Sequence, residues 1–389
     1  MIIIDGPYIS EFLLQTIRDK KFQIISTPAA RQMITDDSLN WISEEDAVQI
    51  FKENPNTRIY TNSENSISWI ENNFSFSDLP NKIRIFKNKI MFREMIVDSF
   101  PEYFYKGVKY SELRELNIDE YKFPFIIKPA VGFFSLAVYK VDDKNDWNKV
   151  LENIENEIDK VKGLYPKEVV NINDFIIEEY IDGDEYAIDC YFDDNGEPVI
   201  LNILHHIFSS NKDVSDRVYT TSKKIIEELK NEIQEFLVTI GTQAGLKNFP
   251  AHIEVRINKG KVVPIEVNPL RFGGWCTTGD QSWYAWGINS YEYFFNNKKP
   301  NWEDIFRTRE NNNYNIIVLD NNSGIDKNQI EYFDYDKLLS DFKNPLSLRK
   351  ADYKKFPVFG FLFTETTPGN DKETHKILTS DLKKYIKTK

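Results

Sequence analysis

The sequence predicts a multidomain chain of α/β and α+β character, with a small α/β domain leading into larger α+β units. Three observations predict it. The chain opens strand–helix–strand, with residues 1–4, 9–20 and 22–26 carrying the apolar spacing of each element. From residue 123 to residue 267 strands and hairpins alternate with helices at 146–161 and 225–244. Its 389 residues exceed what one simple core holds and suffice for several subdomains.

The elements follow in order. Asp5-Gly6-Pro7 is a turn and not a glycine-rich dinucleotide loop, so no Rossmann cofactor is implied. Residues 87–100 read as a helix stopped by Pro101. Residues 123–128, 136–141, 175–180 and 186–192 read as strands, with a helix at 146–161 between the second and third. Asp193-Asp194-Asn195-Gly196 is a hairpin turn into a strand at 199–206. Residues 225–244 hold helical spacing throughout. Residues 251–257 and 261–267 form another hairpin, turned at Asn258-Lys259-Gly260. Beyond residue 300 the chain is first polar, then carries apolar runs at 316–319 and 356–363 and a final helix near 378–386.

Composition bounds the function. Apolar residues are 41% and charged residues 28%, as expected of a soluble, folded chain. The net charge of -12 argues against nucleic acid, which demands a basic face, but leaves room for a small anion bound by a few local cations. Two cysteines, Cys190 and Cys276, make no disulfide framework. No apolar run is long enough to span a membrane, and a cytoplasmic protein is expected.

The most informative segment is Pro264-Ile265-Glu266-Val267-Asn268-Pro269-Leu270-Arg271-Phe272-Gly273-Gly274. Glu266 and Asn268 are two apart on a strand and share a face. A carboxylate beside an amide is an oxygen-only surface. It suits a hard cation such as Mg2+, which keeps room for phosphate oxygens. Arg271 adds an anion clamp, and Gly273-Gly274 a backbone that a ligand can approach closely. The hairpin brings His252-Ile253-Glu254-Val255-Arg256 alongside. Two carboxylates facing each other unpaired are costly, and a divalent metal removes that cost. The competing reading is a solvated face with a Glu–Arg ion pair.

Three further segments carry chemistry. Phe125-Ile126-Ile127-Lys128-Pro129 is an apolar strand ending in one fixed cation. The turn after it can lay backbone N–H groups and the Ser135 hydroxyl against phosphates. Glu178-Glu179-Tyr180-Ile181-Asp182-Gly183 joins two strands and can present backbone groups to an adenine edge, with Glu185 placed to accept from ribose hydroxyls. Residues 208–222, including Asp213, Asp216, Arg217 and Tyr219, show little pattern and read as a lid loop from which Arg217 swings onto a transferring phosphoryl group. His205 and His206 face opposite ways, and His206 is assigned to the site. Singly, these segments read more readily as a strand-end lysine, an acidic hairpin loop and a surface loop. Trp275, Trp283, Tyr284 and Trp286 either line an aromatic acceptor pocket or pack a helix on the core.

Taken in order, these segments resemble the ATP-grasp superfamily of ligases. A helix with a lysine comes first, then a strand ending Lys-Pro. A Glu-Glu connector follows, with another Glu seven beyond its first, and then paired acidic strands ending Glu-x-Asn-Pro. The resemblance covers residues 80–300. It implies two α+β lobes clamping ATP behind an N-terminal α/β domain. Residues 1–87 are then that domain, 88–174 the small lobe, 175–300 the large lobe with the metal site, and 301–389 an extension packed on the core.

By the same resemblance, Lys89 and Lys128 meet the phosphates. Glu178, Glu179, Tyr180 and Ile181 form the adenine connector, and Glu185 is the ribose carboxylate. Glu254, Glu266 and Asn268 hold one or two Mg2+ ions, with Mn2+ as a substitute. Arg271 holds the acyl substrate or its phosphate, beside Gly273, Gly274 and His206. The loop Val131-Gly132-Phe133-Phe134-Ser135 has less glycine and serine than the family's usual phosphate loop, and Leu270 separates Arg271 from Asn268-Pro269 where family members often have arginine at once.

The implied activity is ATP-dependent carboxylate–amine ligation through an acyl phosphate. The implied partners are a small carboxylate, such as an amino acid, and an amine. A small-molecule kinase with the same grip and a non-catalytic nucleotide-binding module are the alternatives. The segment beyond residue 300 either covers the site or supports a homodimer.

Overall fold

The computed structural model describes residues 1–132, 137–161, 171–210, 215–370 and 372–389. The first unit is a parallel sheet of β1 (Ile2–Ile3), β2 (Ile24–Ile25), β3 (Trp41–Ile42) and β4 (Tyr60–Thr61), in the order β3-β2-β1-β4. Residues of β1 and β2 are fully buried, as parallel strands covered on both faces must be. The flanking helices Glu11–Lys20 and Glu44–Glu53 start at serine caps, with Ser10 accepting from Leu13 N–H and Ser43 from Asp46 N–H.

The second unit is an antiparallel sheet of β5 (Tyr105–Lys109), β6 (Phe125–Val131), β7 (Tyr139–Val141) and β8 (Asn171–Glu179), ordered β5-β8-β6-β7. It shares a core with the helix Trp147–Val161, built around Phe125, Ile127, Ile154, Phe175 and Ile177. The 174/175 division drawn from the sequence cuts β8, whose pairing with β5 and β6 carries the small lobe to Glu179.

The third unit is an eight-stranded antiparallel sheet. Its strands are β9 (Asp184–Phe192), β10 (Pro198–Ile207), β11 (Val218–Ser222), β12 (Phe249–Asn258), β13 (Lys261–Pro269) and β14 (Asn313–Asp320), with two more from the end of the chain. A short pair forms from β15 (Ile330–Phe333) and, at the C-terminus, β18 (Ile386–Thr388), while β16 (Pro345–Lys350) and β17 (Val358–Thr366) join the large sheet. The order is β13-β12-β9-β10-β11-β14-β17-β16. The segment beyond residue 300 therefore continues the large sheet through β14 and does more than pack on it. The helix Lys223–Ala244 packs against β10 and shares a core with Ile188, Ile203 and Ile253. The helix Thr277–Trp286 packs against β10, β14 and β17. Among the described residues no helix is long and apolar enough to cross a membrane.

Three expectations change. The helix expected at 87–100 is two helices, Leu79–Lys87 and Lys89–Ile96. Asn88 breaks the run because its side chain accepts from both Ile90 N–H and Met91 N–H, which starts a new helix at Lys89. The lid expected at 208–222 is partly a strand, since β11 pairs with β10 and β14. The last helix is Lys372–Leu378, and the residues expected to be helical after it form a short turn and β18.

Candidate active site

The β12–β13 hairpin builds the centre. Lys259 and Gly260 take φ of 53° and 78°, the backbone of a tight two-residue turn. With a one-residue shift in register beyond that turn, Glu254 lies directly opposite Glu266 and His252 opposite Asn268. One extra residue, Ile265, interrupts the ladder beyond this pair, so Pro264 lies opposite Val255. The next strand, β9, continues the rows, with Asp189 beside His252, Ala187 beside Glu254 and Glu185 beside Arg256. One face of the large sheet thus carries Glu266, Glu254, Asn268, His252 and Glu185.

Five cations, four of them buried and Arg271 half-buried, gather near this face. Lys89, at the start of its helix, lies 3.0 Å from Glu266. Lys128 of β6 lies 2.5 Å from Glu178 of β8. Arg93 donates to Glu178 at 2.8 and 2.6 Å and to the Pro264 carbonyl at 2.7 Å, with both side chains 1% exposed. Arg271 donates to Glu64 at 3.2 and 2.8 Å and to the Phe272 carbonyl at 2.9 Å, while Lys87 lies 2.5 Å from the other Glu64 oxygen. The small lobe, the large lobe and the first domain all contribute to one charged cluster.

The charges tune one another. Burial pushes the Glu178 carboxyl up, but Arg93 and Lys128 outweigh it and hold it at about 2. Glu64 is likewise held at about 2, by Lys87 and Arg271 against its burial. Lys128 is lowered by burial and by the charges of Lys89 and Arg93, against the pull of Glu178. Glu254 is raised by burial and by the Glu266 charge opposite it. Glu266 is held well below the usual carboxylate range, since Lys89 and Lys87 overcome its burial. His252 is pushed up to about 9, its burial outweighed by its bonds to Asp189 and Glu254. Among the described residues no three His, Cys, Asp or Glu side chains converge on a metal position. The donor set here is two partly exposed carboxylates and the Asn268 amide, whose Nδ2 donates to Glu266 and leaves its oxygen free. Few protein oxygens with room for water and phosphate is what Mg2+ takes, so these residues fit that ion.

The connector expected to take an adenine lies between the lobes. The connector runs between Glu179 and Asp184, and a cavity of about 310 Å3 there is lined by Tyr103, Glu179, Tyr180, Ile181, Asp182 and Val263. Gly183 has φ of 114°, and a Cβ there would lie 2.4 Å from the Ile257 carbonyl oxygen, so only glycine fits this turn. Glu178 precedes the connector, inside β8, with both oxygens facing cations. Glu185 is engaged too, by His206 Nδ1 at 2.9 Å and by Arg256 at 3.2 and 3.1 Å. The Glu–Arg ion pair weighed for this face exists, and Arg256 makes it with Glu185.

Two assignments are corrected. Arg217 does not reach the site. It is 2% exposed, lies 2.5 Å from Asp320, and donates to the carbonyls of Ile377 and Ser380. It therefore fastens β11 to the end of the chain. Arg217→Met is expected to lower Tm by several degrees and leave nucleotide affinity within about twofold of wild type, read by thermal melts and calorimetry. Lost affinity at an unchanged Tm would restore a role at the site. His206 does face Glu185, but at 3% exposure it is no substrate ligand. Its ring is packed between Phe208 and Tyr219, and its second nitrogen meets the Ser215 carbonyl. Ser135 lies outside the described residues. Of the tryptophans, Trp286 is core against Trp302 and Tyr314, and Trp283 is half exposed on Phe12.

At the far end, Gly273 sits where a Cβ would meet Thr278 Oγ1 at 2.3 Å, and its N–H donates to that hydroxyl at 2.7 Å. Gly274 is exposed with open space around its Cα. Sequence reasoning missed Glu64, Lys87, Arg93 and Asp189. Lys87 had a signal in its place just before the Asn88 cap. Glu64 had none, because its partner Arg271 is 207 residues away.

Comparisons with known proteins agree with this layout. Residues 121–279 match the family described as ATP-grasp domain. No curated protein matches the sequence. Among solved structures, an L-amino acid ligase from Bacillus licheniformis is similar at TM-score 0.68 and 17% identity, over 100% of this chain and 98% of that one. An N5-carboxyaminoimidazole ribonucleotide synthetase from Thermotoga maritima is similar at TM-score 0.63 and 16% identity, over 99% and 98%. The biotin carboxylase domain of a 2-oxoglutarate carboxylase from Hydrogenobacter thermophilus, in complex with MgADP, is similar at TM-score 0.59 and 14% identity, over 93% and 85%. Residues 121–279 thus match an ATP-grasp domain, and the chain as a whole shares the fold of these structures.

Proposed function

We propose that the chain is an ATP-dependent carboxylate–amine ligase that joins a small carboxylate, such as an amino acid, to an amine and releases ADP and phosphate. The observation that carries the reading is the facing pair Glu254 and Glu266 with Lys89 and Lys128 beside it and Arg271 on the same loop. Phosphoryl transfer needs positioning and neutralisation of charge far more than it needs a protein nucleophile. The L-amino acid ligase among the similar structures supports the choice of substrate class.

A carboxylate is a poor acyl donor because its leaving group would be hydroxide. In the proposed reaction a carboxylate oxygen bonds to the γ-phosphorus as the bond to ADP breaks. The amine nitrogen then attacks the carbonyl carbon, phosphate leaves, and the amine proton goes to solvent. Glu254, Glu266 and Asn268 would hold Mg2+, which would supply charge neutralisation to the phosphates. Lys89 and Lys128 are freed from Glu266 and Glu178 to meet the phosphates. The connector at Tyr180 and Ile181 takes the adenine. Arg271 keeps N–H groups beyond those given to Glu64 and Phe272, and these align the acyl carboxylate. Alignment of this kind can lower a barrier by about 7–11 kcal/mol.

The test is a screen for ADP and phosphate release over amino acids and other small carboxylates, each paired with amines in the presence of Mg2+, with mass spectrometry of the hits. A new amide formed in step with ADP is expected. AMP and pyrophosphate would overturn the acyl-phosphate route. A phosphorylated product without free phosphate would make the protein a kinase.

A further inference from the structure

We infer that Arg349, on β16 near the end of the chain, is a positioning residue that sets the Gly273–Cys276 turn against the active site. The turn follows Arg271 directly and leads into the helix Thr277–Trp286. Its backbone is unusual. Trp275 and Cys276 take φ of 56° and 57°, two successive left-handed residues, neither of them glycine. That conformation is unfavourable for any residue with a Cβ and persists only where its surroundings enforce it.

Arg349 supplies the enforcement. Its Nη1 donates to the Trp275 carbonyl at 3.0 Å and its Nη2 to the Cys276 carbonyl at 3.3 Å. One planar guanidinium thus holds both carbonyls of the strained pair, which a single ammonium cannot do in the same geometry. The fork is itself fixed. Asp280, on the helix that the turn begins, lies 3.5 Å from Nη2 and accepts from Tyr291 OH at 2.7 Å. The guanidinium lies 4.5 Å from the Phe363 ring centroid and 5.9 Å from that of Tyr8, and the side chain is 10% exposed. The Trp275 ring is lodged against Tyr8, Phe356 and Phe361.

The loop from Arg271 to Cys276 is therefore held at both ends by groups outside residues 121–279. Glu64 of the first domain fixes Arg271, and Arg349 of the last segment fixes Trp275 and Cys276. This assigns the segment beyond residue 300 a part in the site, as the support of the loop nearest the acyl substrate. The kinetic part of the inference rests on the ligase reading; the structural part does not.

The test uses the full-length chain with Arg349→Lys and Arg349→Met. Lysine keeps the charge toward Asp280 but can serve one carbonyl at a time, and methionine keeps only bulk. Hydrogen exchange is followed across all peptides, the affinity for Mg2+ with a non-hydrolysable ATP analogue is measured by calorimetry, and ADP release is measured with the substrate pair found by screening. Exchange is expected to quicken at least about tenfold at residues 273–279 and to stay unchanged at 178–192 and 249–269. Analogue affinity should stay within about twofold, while kcat falls at least about tenfold at unchanged KM for ATP, with lysine between wild type and methionine. Unchanged exchange at 273–279 would overturn the inference. So would a rise in exchange across the whole sheet together with lost analogue affinity, which marks a merely structural role. If no pair yields ADP, the ligase reading falls and the exchange data still decide the role of Arg349. Arg349→Lys carries the test where Arg349→Met does not fold.

Discussion

Glu266→Gln is expected to cut ADP release by about 1000-fold while the protein stays folded. Glutamine keeps the volume and one oxygen but removes the charge. Glu254, now raised by the charge opposite it, would be relieved of that repulsion, and one carboxylate would remain where two face each other. A dication loses half its protein charge, and Lys89 loses the partner it holds at 3.0 Å. The fold should survive because the Glu266 side chain is 25% exposed and the charges of Glu254 and Glu178 remain near the buried Lys89. Raising Mg2+ should recover part of the rate if weaker metal binding is the cause. Turnover at the wild-type rate would remove Glu266 from the metal site, and a large drop in Tm would make the loss structural. Steady-state ADP release over a Mg2+ series, paired with thermal melts, separates these outcomes.

The residues that could be read from the sequence are those whose partners are near in the chain or fixed by strand register. Glu254 and Glu266 are 12 residues apart on the two strands of one hairpin and are legible as neighbours for that reason, although strict alternation across the two-residue turn would set Ile265 opposite Glu254 and only the extra residue there brings Glu266 round to face it. The connector is legible for the same reason, as a glycine turn between two strands. Arg93 and Glu178 are 85 residues apart on different elements, and Arg349 lies 74 residues beyond Trp275. No local pattern marks such pairs, since an arginine on an exposed helix face looks the same. Arg217 was misread because Val218-Tyr219-Thr220-Thr221-Ser222, β-prone but only five residues long, reads as one with the polar run before it, and it forms a strand by pairing with β10 and β14. Strand formation there is a property of the neighbours, and it turns a loop cation into a buried anchor. The histidine was assigned to the right face and the wrong role, because burial between two rings is decided by packing that the sequence does not display.

The Arg93–Glu178 pair makes the second large prediction, and it concerns stability before catalysis. Glu178 Oε2 accepts from Arg93 twice and from Tyr103 OH at 2.6 Å, and Oε1 faces Lys128. Arg93 also holds the Pro264 and Ile265 carbonyls at 2.7 and 3.3 Å, at the point where the extra residue opens the β12–β13 ladder. One guanidinium therefore joins the small lobe, the helix Lys89–Ile96 and β13. Removing the charge of Glu178 leaves two buried cations facing an amide, and breaking a buried pair in this way costs about 3–5 kcal/mol. Glu178→Gln is thus expected to lower Tm by on the order of 5 °C or more at neutral pH. The pH dependence fixes the sign. The folded carboxyl is held at about 2 against 4.5 for a free one, so its contribution is complete above pH 4.5 and is lost as pH falls toward about 2. The variant has lost that contribution at every pH. The gap in Tm between wild type and Glu178→Gln should accordingly be widest at neutral pH and narrow as the pH falls below 4.5. A gap independent of pH would show that the glutamine harms packing and not charge. In the proposed reaction the same substitution frees Lys128 in the absence of ATP, so nucleotide affinity should fall far less than stability does. Equal losses in both would place Glu178 in direct contact with the nucleotide.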